Sequence, residues 1–252
     1  MFACGFFAAI PLAPGLAQAP EFEPSLKMVV GEPLEGFGGR AVKLEARLRF
    51  EASDGQDPPV VTAGRLLLPR GMAVNGRRYA KCSGRSMRES QSTAGCPEDS
   101  FMGRSGPSGI DDPDGVVKPR FEFVNGGARR LWAFGTIYNP ALVQEPMAID
   151  VHGRRTPRPS FKLSFDVPQV LRVVAGVPVS LTHWPLVIGG RSYAPGYLTF
   201  DGRCPRGRKL GFRASLTYLG AGGTPVEATR RVQAPCLRSL PPGDGAVFLK
   251  AR

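Results

Sequence analysis

Two-residue alternation of apolar and polar side chains runs through this chain and restricts what it can become. Val42, Leu44, Ala46, Leu48 and Phe50 share one phase, while Lys43, Glu45, Arg47 and Arg49 take the other. Leu163, Phe165 and Val167, with Phe161 ahead of them, alternate with Lys162 and Ser164. Val177, Val179 and Leu181 make a further such face, and Leu210, Phe212, Ala214 and Leu216 alternate with Lys209, Gly211, Arg213 and Ser215. A period of two puts the two sets on opposite faces of a strand. One dry and one wet face is the habit of antiparallel sheet. Less regular runs at 60–68, 117–124, 131–138, 146–151, 185–190, 226–233 and 246–249 are further strand candidates.

The 32 glycines and 25 prolines fall between these stretches, as turn residues do. No sustained helical period and no internal repeat is visible. The expectation is therefore an all-β chain with little helix, about ten short strands forming one antiparallel β-sandwich over residues 20–252. Its type would be jelly-roll or immunoglobulin-like. That length buries a substantial core.

Four cysteines, Cys82, Cys96, Cys204 and Cys236, follow an N-terminus that carries no charge through residue 19. Phe2 to Leu16 form an apolar run broken by Pro11 and Pro14, closing on Ala17-Gln18-Ala19, an A-x-A cleavage pattern. The missing basic n-region and Pro20 after the cut fit a leader whose start lies upstream. A membrane anchor needs about 20 uninterrupted apolar residues, which the two prolines oppose. Residues 1–19 are read as a signal peptide, so the protein is expected to be secreted or held at the cell surface, with no transmembrane segment in the mature chain. Cys4 would leave with the leader, and the cysteine count would become even.

Exported chains with an even cysteine count form disulfides. Cysteine order favours Cys82–Cys96 and Cys204–Cys236, although four cysteines allow three connectivities. Zinc ligands come in close pairs such as C-x2-C, a spacing absent here.

The cysteine neighbourhoods carry a resemblance. Leu66-Leu67-Leu68-Pro69-Arg70-Gly71 leads to Tyr79-Ala80-Lys81-Cys82, then to Ala94-Gly95-Cys96-Pro97, Ser100 and Gly103. Arg203-Cys204-Pro205-Arg206-Gly207-Arg208-Lys209-Leu210-Gly211-Phe212-Arg213-Ala214 follows much later, and then Pro235-Cys236. Across residues 60–236 this resembles a family of exported two-disulfide β-proteins of high-GC actinobacteria. The resemblance implies a secreted, disulfide-bonded β-protein and implies no activity. The chain departs from the pattern after Gly103, where Gly106 to Gly115 inserts a Gly/Asp/Pro stretch.

Catalytic signals are weak. The two histidines, His152 and His183, sit in strand-like contexts. No G-x-S-x-G elbow, H-E-x-x-H, P-loop or Rossmann signature occurs. Glu145, Asp150, Asp166 and Asp201 could supply the carboxylate pair of a glycosidase, but acids at strand ends are equally ordinary turn residues. Asp111, Asp112 and Asp114 form the densest acidic cluster and could hold calcium, or simply make a turn around Pro113 and Gly115. No catalytic residue and no cofactor is assigned.

Charge is the strongest clue to a partner. There are 33 basic residues against 21 acidic, a net +12, and 26 of the basic residues are arginine, which suits bidentate contacts to phosphate or carboxylate. Clusters fall at Arg77-Arg78, Arg129-Arg130, Arg230-Arg231 and in two turns, Arg154, Arg155 and Arg158 and then Arg203, Arg206 and Arg208. The two turns are the expected ligand-binding positions. Nucleic acid is not the expected partner, because the charge is spread and Phe121, Phe123, Trp132 and Phe134 read as strand core. An arginine surface that is merely solvated explains the same composition. The reading is an exported non-catalytic β-sandwich binding an anionic cell-envelope polymer or a surface protein. A secreted hydrolase acting on carbohydrate or ester is the alternative.

Overall fold

The computed structural model describes residues 21–51, 60–106, 108–111, 119–138, 141–154, 159–190, 193–202, 204, 205, 207, 209–220 and 223–238. The proposed leader and the 246–249 run lie outside the described residues. In chain order the elements begin β1 (Glu21–Leu34), β2 (Gly39–Glu51), β3 (Val61–Leu67) and β4 (Met72–Val74). After α1 (Gly84–Ser90) come β5 (Phe101–Ser105), β6 (Gly109–Asp111), β7 (Arg120–Asn125), β8 (Arg130–Ile137), β9 (Val143–Arg154) and β10 (Ser160–Asp166). A short α2 (Gln169–Arg172) precedes the small hairpin of β11 (Val173–Val174) and β12 (Val177–Pro178). The chain ends through β13 (Ser180–Gly189), β14 (Leu198–Phe200), β15 (Lys209–Leu219) and β16 (Pro225–Arg238).

The expected sandwich is overturned. The sheet runs β2-β1-β16-β15-β3-β10-β9-β8-β7-β5-β13, and β13 pairs back onto β2, so eleven strands close into a barrel. The alternation that implied one dry face is present, but that face lines the inside of a single closed sheet. All-β character, scarce helix and both expected disulfides hold. Cys82–Cys96 and Cys204–Cys236 are formed, with Cα separations of 5.3 and 5.6 Å.

The barrel interior is apolar. Phe22, Leu26, Met28, Leu44, Phe123, Leu131, Phe212 and Tyr218 are buried in one cluster. The outward phase carries Lys43, Glu45, Arg47, Arg49, Lys162, Arg213 and Arg231. A membrane-spanning barrel has the reverse alternation, apolar outside. Among the described residues no helix is long and apolar enough to cross a membrane.

Trp132 and Phe134, read as core, lie on the outer face of β8, not inside. There they pack with Met87, Val124 and the Cys82–Cys96 disulfide beneath α1. Ser83 caps α1, its Oγ accepting from the Arg85 and Ser86 amides. Asn125 ties this cover to the barrel. Its Nδ2 donates to the carbonyls of Gly76, Tyr79 and Ala80 at 2.8–3.1 Å, and its Oδ1 accepts from the Gly127 amide. The motif around Cys96 has a mechanical reading. Ser100 Oγ donates to the Pro97 carbonyl at 2.6 Å, closing a tight turn into β5. At Gly103 a Cβ would collide with the Val187 carbonyl of β13.

Gly103→Ala is therefore expected to break the β5–β13 pairing and lower the melting temperature sharply, whereas Gly95→Ala, with open space around its Cβ, should change it little. Asn125→Ala strands one buried and two part-buried carbonyls and should cost about 2–4 kcal/mol in denaturant unfolding.

Candidate anion-binding face

Strands alternate in direction around the barrel, so an odd number of them forces one parallel pair. It falls between β1 and β16 and is only three residues long, Met28 with Cys236, Val29 with Leu237 and Val30 with Arg238. Below it the two strands splay apart. Residues 21–27 of β1 pair only with β2, and 225–235 of β16 only with β15. The gap is a cleft of about 570 Å³ lined by Arg47, Arg49, Arg230 and Arg231 with Glu23, Ser25 and Gln233. Pro24 sits on the open edge, where a residue without an N–H is tolerated.

Arg230 lies in the inward phase of β16, and its guanidinium stands 5.8 Å from the centre of the Phe22 ring. Behind it, Tyr218 is fully buried and its hydroxyl has no hydrogen-bond partner among the described residues. Burial pushes the Tyr218 phenol above its ordinary pKa, and the nearby Arg230 charge opposes that shift in part.

The cleft continues into a row on the outer wall. Register pairs His152 with Lys162, Lys162 with Leu67, Leu67 with Arg213 and Arg213 with Arg231. These five outward residues stand side by side on β9, β10, β3, β15 and β16. At about 4.8 Å per strand they span roughly 19 Å. All five are exposed. Among the described residues, no carboxylate lies within ion-pair distance of Lys162, Arg213, Arg231, Arg47 or Arg49. A second basic concavity adjoins the row at its β9 end, lined by Arg77, Arg129, Arg130, Asp150 and His152. There Arg130 holds Asp150 at 2.8 Å.

Few of the residues singled out from sequence take part. Arg154 ends β9 two positions past His152 and is exposed. Arg155, Arg158, Arg203, Arg206 and Arg208 lie outside the described residues, as do Asp112 and Asp114. Asp111 ends β6, with its backbone opposite Ser180. The strands that lead into both arginine turns, β9 and β15, reach them at the same end of the barrel.

Of the hydrolase candidates, Asp150 and His152 line the same concavity, where the Asp150 carboxylate is held by Arg130. His183 Nδ1 lies 3.3 Å from Thr182 Oγ1. Glu145 is bound by Arg88 Nε at 2.8 Å, a bond that raises the Arg88 pKa. Among the described residues no hydrogen bond or ion pair joins either histidine to a carboxylate. Arg213 and Arg231, the directly opposed pair, were not among the positions chosen from sequence. Arg213 was visible only as an outward-phase residue, and Arg231 only as half of the Arg230-Arg231 cluster.

Like charges directly opposite one another destabilise a sheet. Arg213→Thr should therefore stabilise the folded protein by about 0.2–1 kcal/mol, read as a rise in the denaturation midpoint. A fall would mean that the guanidinium is already neutralised in the free protein. Comparison with known proteins leaves this face without a precedent to lean on: no family model, no curated protein and no solved structure matches the chain.

Proposed function

We propose that the protein is an exported, non-catalytic barrel that binds an anionic polymer of the cell envelope along the outer row and into the β1–β16 cleft. The observation that carries this reading is the register of His152, Lys162, Leu67, Arg213 and Arg231 across five adjacent strands. Unpaired arginines set in line suit a ligand with repeated phosphate or carboxylate groups. Exposed Leu67 in the middle of the row offers an apolar contact between charges. Two disulfides support an oxidising compartment, as does the leader-like N-terminus, and the resemblance of the cysteine segments to exported proteins points the same way.

The test is binding of the purified protein to teichoic acid, an acidic polysaccharide, peptidoglycan and DNA, each at low and high salt. Selective binding to one envelope polymer that weakens with salt is expected. The double variant Arg213→Ser/Arg231→Ser should lower its affinity by roughly tenfold or more. Arg85→Ser on α1, which removes an exposed pair with Glu89, should leave it unchanged. Equal affinity for every polyanion, or an unaffected double variant, would reject the row as a specific site.

A further inference from the structure

The lower end of the barrel, where β2 ends and β3 begins, is built differently from the basic wall. Inside it lies a cavity of about 40 Å³ walled by apolar side chains, among them Phe50, Phe121, Phe165, Val179, Trp184 and Leu216. Its wall is hydrocarbon and aromatic carbon except for the indole N–H of Trp184. Its floor is the segment 168–179, where α2 and the β11–β12 hairpin lay Leu171, Val174 and Val179 inward, all buried. The same segment turns Val170, Val173 and Val177 to solvent, exposed by 50, 39 and 50 %. Tyr138 and Leu142 on the neighbouring β8–β9 connection and Leu219 at the end of β15 are exposed at this end. Of the eight large hydrophobic residues exposed in the described structure, these six lie at this one end of the barrel; Leu67 and Leu237 lie elsewhere.

Two buried donors mark the same place. Trp184 Nε1, in a side chain that lines the cavity, has no hydrogen-bond partner among the described residues. Arg172 Nε, on the strap beside the cavity-lining Leu171, has none either. Leaving such groups unmet costs free energy, and an anionic group against Arg172 would recover part of it.

We propose that this end of the barrel is a binding site for a single unbranched acyl chain with an anionic head group. The chain end enters the cavity beneath the strap, and the head group lies against Arg172. The volume selects the ligand shape. A cavity of about 150 Å³ holds a benzene ring, and this one is far smaller, so it admits a narrow chain end and excludes a ring. Longer insertion requires the strap to move outward with Leu171 and Val174. Its hairpin turn is the point of least constraint, with Ala175 and Gly176 both at positive φ and little packed against Gly176. The exposed apolar side chains at this end give the chain a surface to cross from a lipid layer or a micelle. This inference is independent of the polymer reading, because none of the row residues lines the cavity.

The chain contains two tryptophans, so a Trp132→Phe background leaves Trp184 as the only indole, positioned to report cavity contents. The probes are a free fatty acid and a phosphatidylglycerol vesicle, each brominated near the chain end, since bromine quenches tryptophan emission on contact. Quenching by either probe is expected. It should vanish with Val179→Phe, or with Leu48→Phe should the first variant fail to fold, since both fill the cavity. Arg172→Gln should weaken binding of the charged probe by roughly tenfold. Quenching by the free acid alone would reject a bilayer as the source of the chain. Failure of both probes to quench, or quenching that survives a filled cavity, would overturn the proposal. Arg213→Ser/Arg231→Ser should have no effect, which separates this failure from failure of the polymer reading.

Discussion

Everything in this fold depends on how the barrel closes between β1 and β16. Eleven strands cannot alternate in direction all the way round, so one seam must be parallel, and parallel pairing is the weaker kind per residue. Here it is held by three residue pairs. The Cys204–Cys236 disulfide fastens the same point, because Cys236 pairs with Met28 at the seam and its partner lies on the β14–β15 connection. The bond thus does more than shorten the unfolded chain. It keeps β16 beside β1 at the one level where they meet, while the strands diverge below. The open cleft is the geometric consequence of that anchoring, and it places inward-phase Arg230 at a wall that a fully zipped barrel would have buried.

The strands themselves were legible in the sequence where alternation was strict, as at 42–50, 161–167 and 209–216. Closure was not, because a sandwich and a barrel demand the same local alternation and differ only in which strands pair across long separations. The longest miss was β1. Pro24 and Pro33 interrupt its pattern, and proline reads as a strand breaker unless one edge is known to be free. Its edge is free because the seam is short. The face at 177–181 failed for a different reason. Its first two residues belong to the β11–β12 hairpin, where Ala175 and Gly176 turn the chain, and β13 begins only at Ser180.

The candidate site was half legible. That His152, Lys162, Arg213 and Arg231 face outward follows from the phase of their buried neighbours. That they stand in one row is a statement about register between β9, β10, β3, β15 and β16, and register is set by turn geometry and packing at sites far apart in the chain. Reading for clusters along the sequence drew attention instead to arginines adjacent in number, in the turns after β9 and before β15. Adjacent residues on a strand point to opposite faces, so a run such as Arg230-Arg231 divides its charge between the inward and the outward phase of β16. Clustering in sequence is therefore a poor guide to clustering in space for a β-protein.

The barrel has two chemically distinct regions, and the difference bears on what each was built to meet. An opposed Arg213–Arg231 pair with no carboxylate partner among the described residues is a local conflict, since charge reversal at either position would relieve it. Buried Trp184 and Arg172 donors without acceptors among the described residues are a second conflict, at the apolar end. Conflicts of this kind collect at binding sites, where an external group completes what the fold leaves open. The outer row lacks anions and keeps its cations in solvent. The lower cavity lacks acceptors and keeps its donors among hydrocarbon. A single ligand could not satisfy both, because a polymer of repeated charges has no apolar end to bury and an acyl chain has no repeated charge to align. The two proposed ligands therefore belong to separate regions, and the residues of one can be altered without touching the wall of the other.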